Sequence, residues 1–480
     1  MKGKRAGKAI SIGILAFLPT LPALAFDPLL SEGTVAPTPA GGMLAQPSYC
    51  DFGQLGVPLT LPEAVGRTLC HSPKTREAWA SVKAQAAAVG IARAAYLPTL
   101  SGNWQGVRDR SETNVSGLPQ FSSKSTANVQ SESTTLSWVL FDFGSRSAAL
   151  SNANASLAAA KATQDATLQT AFDDVAKDYY AVQAAQGALQ VASDIERMTH
   201  DSMIAAQARV DRGVAPITDA LQAQTDHDEA VFNLAKARGD AQTTIGTLAS
   251  EMGFDPSEPI EMPQAALTPP QGPQFSDAVE TLIEQVKKTH PSVLAAQAQV
   301  EAARAKVAQT RAQGRPSVSL IAKYSRSNQP QTLGLGQPTF PATGRDSYVG
   351  VQVTIPLFEG FTRHYQVDQA RAEEERQEDL LQDARQHVAL DVWNSYYALQ
   401  TSSENASNSA KLLAIAERSF EAAQHRYEAG VGNILELLHT QTALANAKQR
   451  QVQAMADWNY ARLDLASKVG RLTIDELAGR

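Results

Sequence analysis

The chain has 480 residues, 43% of them hydrophobic, and a formal net charge of −7. An acidic chain offers little to a phosphate backbone, which excludes nucleic acid as a partner. No mature segment reaches about 18 uninterrupted apolar residues, which excludes a helical membrane protein but not a β-barrel, whose strands are short and only half apolar.

Residues 1–25 read as a secretory signal peptide. Lys2, Lys4, Arg5 and Lys8 precede an apolar stretch from Ile10 to Leu18, and Ala23-Leu24-Ala25 has the small-x-small pattern of a cleavage site. Its removal takes away four basic residues and leaves the mature chain more acidic still. Residues 26–60 form an extended arm, rich in Pro, Gly and Ser between 31 and 48. The only cysteines are Cys50 and Cys70. In an oxidising compartment they are expected to pair, and closing a loop of about 20 residues contributes about 3 kcal/mol on the chain-entropy model. Neither adjoins the cleavage site, so no lipidated cysteine is expected.

A tandem duplication organises the rest. Leu140-Phe141-Asp142-Phe143-Gly144-Ser145-Arg146 matches Leu357-Phe358-Glu359-Gly360-Phe361-Thr362-Arg363. At the same offset Tyr179-Tyr180 meets Tyr396-Tyr397, Gly213-Val214 meets Gly430-Val431, Leu248 meets Leu465, and Gly253 meets Gly470. The first repeat covers 61–254 and the second 275–480. A linker at 255–274 joins them, with prolines at a density no helix continues through.

The first repeat opens with a helix over Leu61–Ala95, followed by a strand over Thr99–Arg108 and a polar loop at 109–128. A second strand carries Leu136, Trp138 and Leu140 on one face. A proline-free helix then runs from Ser145 to Arg212, about 100 Å at 1.5 Å per residue, followed by a shorter helix over 214–253. The second repeat repeats this layout. A helix spans Ser276–Gln313, a strand Ser317–Arg326 and a loop 327–347. Period-two alternation of Val349, Val351, Val353, Ile355 and Leu357 marks the last strand. A second long helix covers Thr362–Ala429. Its Leu381, Ala384, Val388, Val392, Tyr396 and Leu399 form a packing stripe. The two shorter helices at 214–253 and 276–313 together match the length of one long helix, so they are expected to stack. Trp104, Trp138, Tyr324 and Tyr348 fall where interfacial aromatic girdles would lie.

Four strands have open edges, which lipid does not tolerate, and bacterial barrels begin at about eight strands. A membrane reading therefore requires an oligomer, with both polar loops outside the cell. Two other readings stay open: a soluble sandwich of two hairpins, and a soluble periplasmic coiled-coil structural or adaptor protein. No enzyme emerges. Asp226-His227-Asp228 is the most metal-like run, but consecutive helical residues point in different directions. Gly334-Leu335-Gly336 lacks the strand–turn–helix setting of a phosphate cradle.

The duplication, the Leu-Phe-Asp/Glu strand ends at Leu140 and Leu357, and the two glycine turns together resemble the TolC family of outer-membrane efflux and secretion channels. The resemblance implies a fold that is mainly α with a membrane β-barrel portion: a homotrimer with a twelve-stranded barrel in outer-membrane lipid and a periplasmic coiled-coil α-barrel. It implies no cofactor, and two partners: a periplasmic adaptor protein and an inner-membrane ABC or proton-driven transporter. The cysteine pair and the absence of a lipidated cysteine look more like the CyaE-like type I secretion branch. The resemblance also places a closed periplasmic gate at the turns around Gly213 and Gly430. Gly213 and Gly430 suit the left-handed position that ends a helix, and Pro216 suits the first turn of the next. Asp219 and Tyr427 match residues that link neighbouring hairpins, and Glu436 matches an aspartate that rings the axis. The sequence departs from the pattern twice: Gly432 stands at the position of a gate arginine, and His439 at that of a second ring aspartate. Glu436 and His439 share a helix face. Three copies of Glu436 around an axis would raise one another's pKa and favour a bound cation. Asn433 and Glu436 also form a capping box.

Overall fold

A computed structural model describes residues 27–29, 32–41, 43, 50, 52–53, 55, 57–263, 278–334 and 336–470. The signal peptide, residues 264–277 of and beyond the linker, and residues 471–480 lie outside that range. The helices are α1 (Leu61–His71), α2 (Pro73–Ala94), α3 (Ser145–Asp211), α4 (Ile217–Glu251), α5 (Val279–Thr289), α6 (Pro291–Ala312), α7 (Thr362–Glu428) and α8 (Ile434–Lys468). The strands are β1 (Thr99–Thr113), β2 (Ser123–Phe141), β3 (Ser317–Ser327) and β4 (Gly344–Thr354).

Each opening helix is two helices rather than one. Ser72 and His290 adopt extended ψ values of 134° and 133° immediately before Pro73 and Pro291. Proline disfavours the helical conformation of the residue before it and fits the first turn of a new helix. α3 and α7 each run 67 residues without a break, about 100 Å. Both start the same way, with two left-handed residues: Phe143 and Gly144 before α3, Gly360 and Phe361 before α7. Arg146 pairs with Asp142 at 3.0 Å, and Arg363 with Glu359 at 3.1 Å, across each bend.

The shorter helices stack, but within each repeat rather than between repeats. Lys74 near the start of α2 reaches Glu251 at the end of α4 at 3.0 Å and Asp174 of α3 at 3.5 Å. Gly253, at φ 83°, turns α4 off against the main chain of His71, where an added Cβ would stand 3.0 Å from the carbonyl oxygen. Gly470, at φ 72°, ends α8 beside the side chains of His290 and Pro291, at ordinary contact distance. α4 therefore continues into α2, and α8 into α6. α3 packs between these two columns, and α7 lies beyond the α8/α6 column. The chain forms a layer of four helical columns with two open edges.

Two hydrophobic clusters sit at the joints. At the first, Phe172 and Leu168 of α3 meet Leu248 of α4, Met252, and Leu59 and Leu69 from the segment around α1. At the second, the stripe on α7 packs Val388 and Val392 against Leu282 and Val286 of α5 and Leu465 of α8, flanked by Leu381, Tyr396 and Leu399. Each fully buried side chain of this size contributes about 1.5–3 kcal/mol, so the joints hold the stacked columns in line. The arm is fastened to the first joint. Cys50 is disulfide-bonded to Cys70, Leu59 N–H donates to the Glu261 carbonyl, and Tyr179 donates its hydroxyl to the Leu59 carbonyl.

The strands form one antiparallel sheet in the order β1-β2-β3-β4. The β2–β3 pairing joins the repeats. In register, Leu100, Leu136, Ala322 and Val349 form one row, and Trp138, Leu320 and Val351 another on the same face. Ser101, Thr135, Lys323 and Tyr348 form a row on the opposite face. One face is thus apolar and the other mostly polar. The apolar face is bare: Val349 is 75% exposed and Leu100 72%. Tyr348 falls on the polar face, unlike Trp104, Trp138 and Tyr324, and so leaves the expected girdle. Residues 109–113 and 123–128 are strand rather than loop, because the hairpin continues past the apolar rows with Lys124 paired to Glu112 at 3.1 Å. The last strand starts earlier than expected, at Gly344, and ends at Thr354, before Pro356, which cannot donate to a ladder.

Candidate functional site

The two helical hairpins end in matching turns. At the end of α3, Val214 N–H donates to the Arg209 carbonyl and Gly213 N–H to that of Val210; at the end of α7, Val431 N–H donates to Arg426 and Gly430 N–H to Tyr427. This is the double closure of a Schellman motif, and it places Gly213 at φ 71° and Gly430 at φ 76°. Pro216 takes the N-cap position of α4 with extended backbone, one residue earlier than its expected place in the first turn. Asn433 caps α8, its side chain accepting from Glu436 N–H at 2.7 Å. Asp219 and Glu436 therefore occupy equivalent third positions of α4 and α8, where the positive helix end favours a carboxylate.

Tyr427 is the centre of the tip. Only 5% exposed, it packs with Ala206, Ala223, Ile434, Leu437 and Leu438. Arg209 holds it from the other hairpin. The guanidinium lies 4.6 Å from the ring centroid, and Nη1 donates to the Tyr427 carbonyl at 2.9 Å. The buried Tyr427 hydroxyl has no hydrogen-bond partner among the described residues. Burial raises the phenol pKa, with the Asp219 charge adding to the rise and Arg209 opposing it, so the tyrosine stays neutral. Asp219 is near enough to act on Tyr427 electrostatically, but within the chain the link between hairpins runs through Arg209.

Glu436 faces Arg426, Oε1 to Nε at 3.5 Å, in a half-exposed pair within the second hairpin. His439 is exposed one turn further along α8. Among the described residues no ion pair joins it to Glu436, and no group of three or more possible metal ligands is present. Gly432 backs onto the end of α7. Its N–H donates to the Arg426 carbonyl at 2.9 Å, and an added Cβ would lie 3.0 Å from Tyr427 N. This close approach gives a physical reason for glycine here: any larger residue would push the turn open by a few tenths of an ångström.

Arg209 and Arg426 went unassigned in the sequence. They are equivalent residues of the two repeats, three residues before each C-cap. A cation in the last turn of both long helices, at matching positions, is the signal that marks them.

A family model described as outer membrane efflux protein matches residues 64–253 and 282–471. The chain is 34% identical to Protein CyaE of Bordetella pertussis over 421 residues, covering 87% of this chain and 86% of that protein. It is 22% identical to outer membrane protein TolC of Escherichia coli over 440 residues, covering 90% and 86%. Among solved structures, the CmeC outer membrane channel of Campylobacter jejuni superposes with a TM-score of 0.74 at 14% identity, covering 87% of this chain and 88% of CmeC. CusC gives 0.71 at 18% identity, covering 91% and 97%.

Proposed function

Because the chain belongs to the outer membrane efflux protein family, whose channels are non-enzymatic conduits across the outer membrane, we propose that three copies close into one twelve-stranded barrel above a continuous helical tunnel. One observation carries this reading. The sheet has two unpaired edges and a bare apolar face, and the helical layer beneath it has two open edges as well. Both layers are incomplete in the same way, and lipid requires every sheet edge to be paired. Polar rows such as Ser101, Thr135 and Lys323 then line the pore, while Leu100, Val349 and Val351 meet lipid.

The conduit is passive. An inner-membrane transporter supplies energy, and a periplasmic adaptor joins it to the tip. The tip rests closed, with Arg209 holding the two hairpins together through Tyr427, and opens when docking separates them. Type I secretion of a polypeptide is the favoured cargo class, on the strength of the likeness to CyaE. Two experiments test the reading. Purified protein in a planar bilayer is expected to give discrete conductance steps of uniform size; absence of any step would remove the channel. Deletion in the source bacterium is expected to deplete a secreted polypeptide from the medium; intracellular retention of small toxic compounds with an unchanged secretome would move the cargo to small-molecule efflux.

A further inference from the structure

We propose that His200 of α3 and His227 of α4 together bind a divalent transition-metal ion, stapling the first hairpin above its tip. The run Asp226-His227-Asp228 cannot chelate by itself, because neighbouring helical residues diverge. The fold supplies the missing partner from the facing helix. The two imidazole rings lie 5.1 Å apart, centroid to centroid, tilted by 54°. They are the only two histidine rings in contact among the described residues.

One of the two rings, that of His227, has the kind of supporting contact that orients an imidazole ligand. Thr199 Oγ1 lies 3.4 Å from His227 Nδ1. A partner on one ring nitrogen fixes ring orientation and leaves the other nitrogen free to ligate. Thr199 is itself buried, and its hydroxyl is anchored on the Glu196 carbonyl at 2.9 Å. Three other histidines differ: His364, His387 and His425 each face a carboxylate three or four residues away on their own helix. The His200–His227 pair instead spans two helices, so a shared ion would cross-link them. It sits 11 residues before the end of α3, about 17 Å from the tip.

Two imidazoles with no third protein ligand among the described residues leave the other coordination positions to water. Imidazole donors suit Cu²⁺, Ni²⁺ and Zn²⁺, with Cu²⁺ the tightest by the usual order, and exclude Mg²⁺ and Ca²⁺, which take oxygen donors. The site is independent of the conduit reading, since it needs only the packing of α3 on α4.

The test uses the full-length detergent-extracted protein, stripped with chelator and titrated with Cu²⁺, Ni²⁺ or Mg²⁺ by calorimetry. Wild type is expected to bind one Cu²⁺ or Ni²⁺ per protomer and to ignore Mg²⁺. His200→Ala and His227→Ala should each weaken binding by at least about tenfold, with metal-free melting temperatures unchanged. His387→Ala should bind like wild type. Electron paramagnetic resonance of the Cu²⁺ form should show two equatorial nitrogens, falling to one or none in either variant. Wild-type binding in both variants, or no saturable binding in wild type, would overturn the proposal.

Discussion

Arg209 makes two contacts with one residue: its guanidinium covers the Tyr427 ring and donates to the Tyr427 carbonyl. Arg209→Ala removes both and is expected to raise resting conductance in planar bilayers, with the oligomer intact. Arg209→Lys keeps the charge but loses the planar fork, so it should fall between the two. Tyr427→Phe keeps the ring and the carbonyl and should raise conductance less than Arg209→Ala. The reverse order would move the link to the hydroxyl. The sequence drew attention to Asp219, Tyr427, Glu436 and His439 through resemblance, and to the glycine turns through chain chemistry. It did not reveal that Arg209 reaches across to a residue of the other repeat, because such contacts depend on which helices become neighbours.

At the scale of elements, the joints carry the least ordinary chemistry. Asp464 of α8 faces Asp173 of α3, with Lys468 3.2 Å from Asp173 and 3.8 Å from Asp464. Tyr460, Asp391 and His290 face the same cluster. Burial, reinforced by the Asp173 charge, pushes Asp464 up to about 6 from an ordinary 3.8. A carboxyl with a raised pKa binds its proton more tightly in the folded state. Its favourable contribution is full below about pH 4 and is lost as pH rises through about 6. Asp464→Asn is therefore expected to raise the melting temperature at pH 7.5 and to flatten the pH dependence between 4 and 6, measured by thermal melts. A larger loss of stability at pH 7.5 than at pH 4.5 would contradict this. Burial of His290 lowers its pKa, so the joint resists charging there as well. The lengths of α3 and α7 and the α7 stripe were legible from proline spacing and periodicity. The breaks at Ser72 and His290 were written in the prolines that follow, Pro73 and Pro291, which fit the first turn of a new helix as readily as they interrupt one. Strand ends were less legible, because residues 109–113 and 123–128 are polar on both faces and pair only through the hairpin.

For the whole molecule, the duplication explains the architecture. Each repeat supplies one hairpin, one long helix and one stacked column, and the β2–β3 pairing sets the repeats side by side. The disulfide fastens the arm to the first joint rather than to the barrel or the tip. Cys50→Ser with Cys70→Ser should therefore lower thermal stability, by up to about 3 kcal/mol, while leaving unit conductance unchanged; an altered conductance would show that the arm shapes the pore. What a single chain leaves open is its edges. Four strands and four helical columns both end in unpaired surface, which the proposed trimer would cover. The most direct test is the native mass of the detergent-extracted protein. Three copies per particle is the predicted result. A monomer stable without detergent would contradict the shared barrel, and with it the pore.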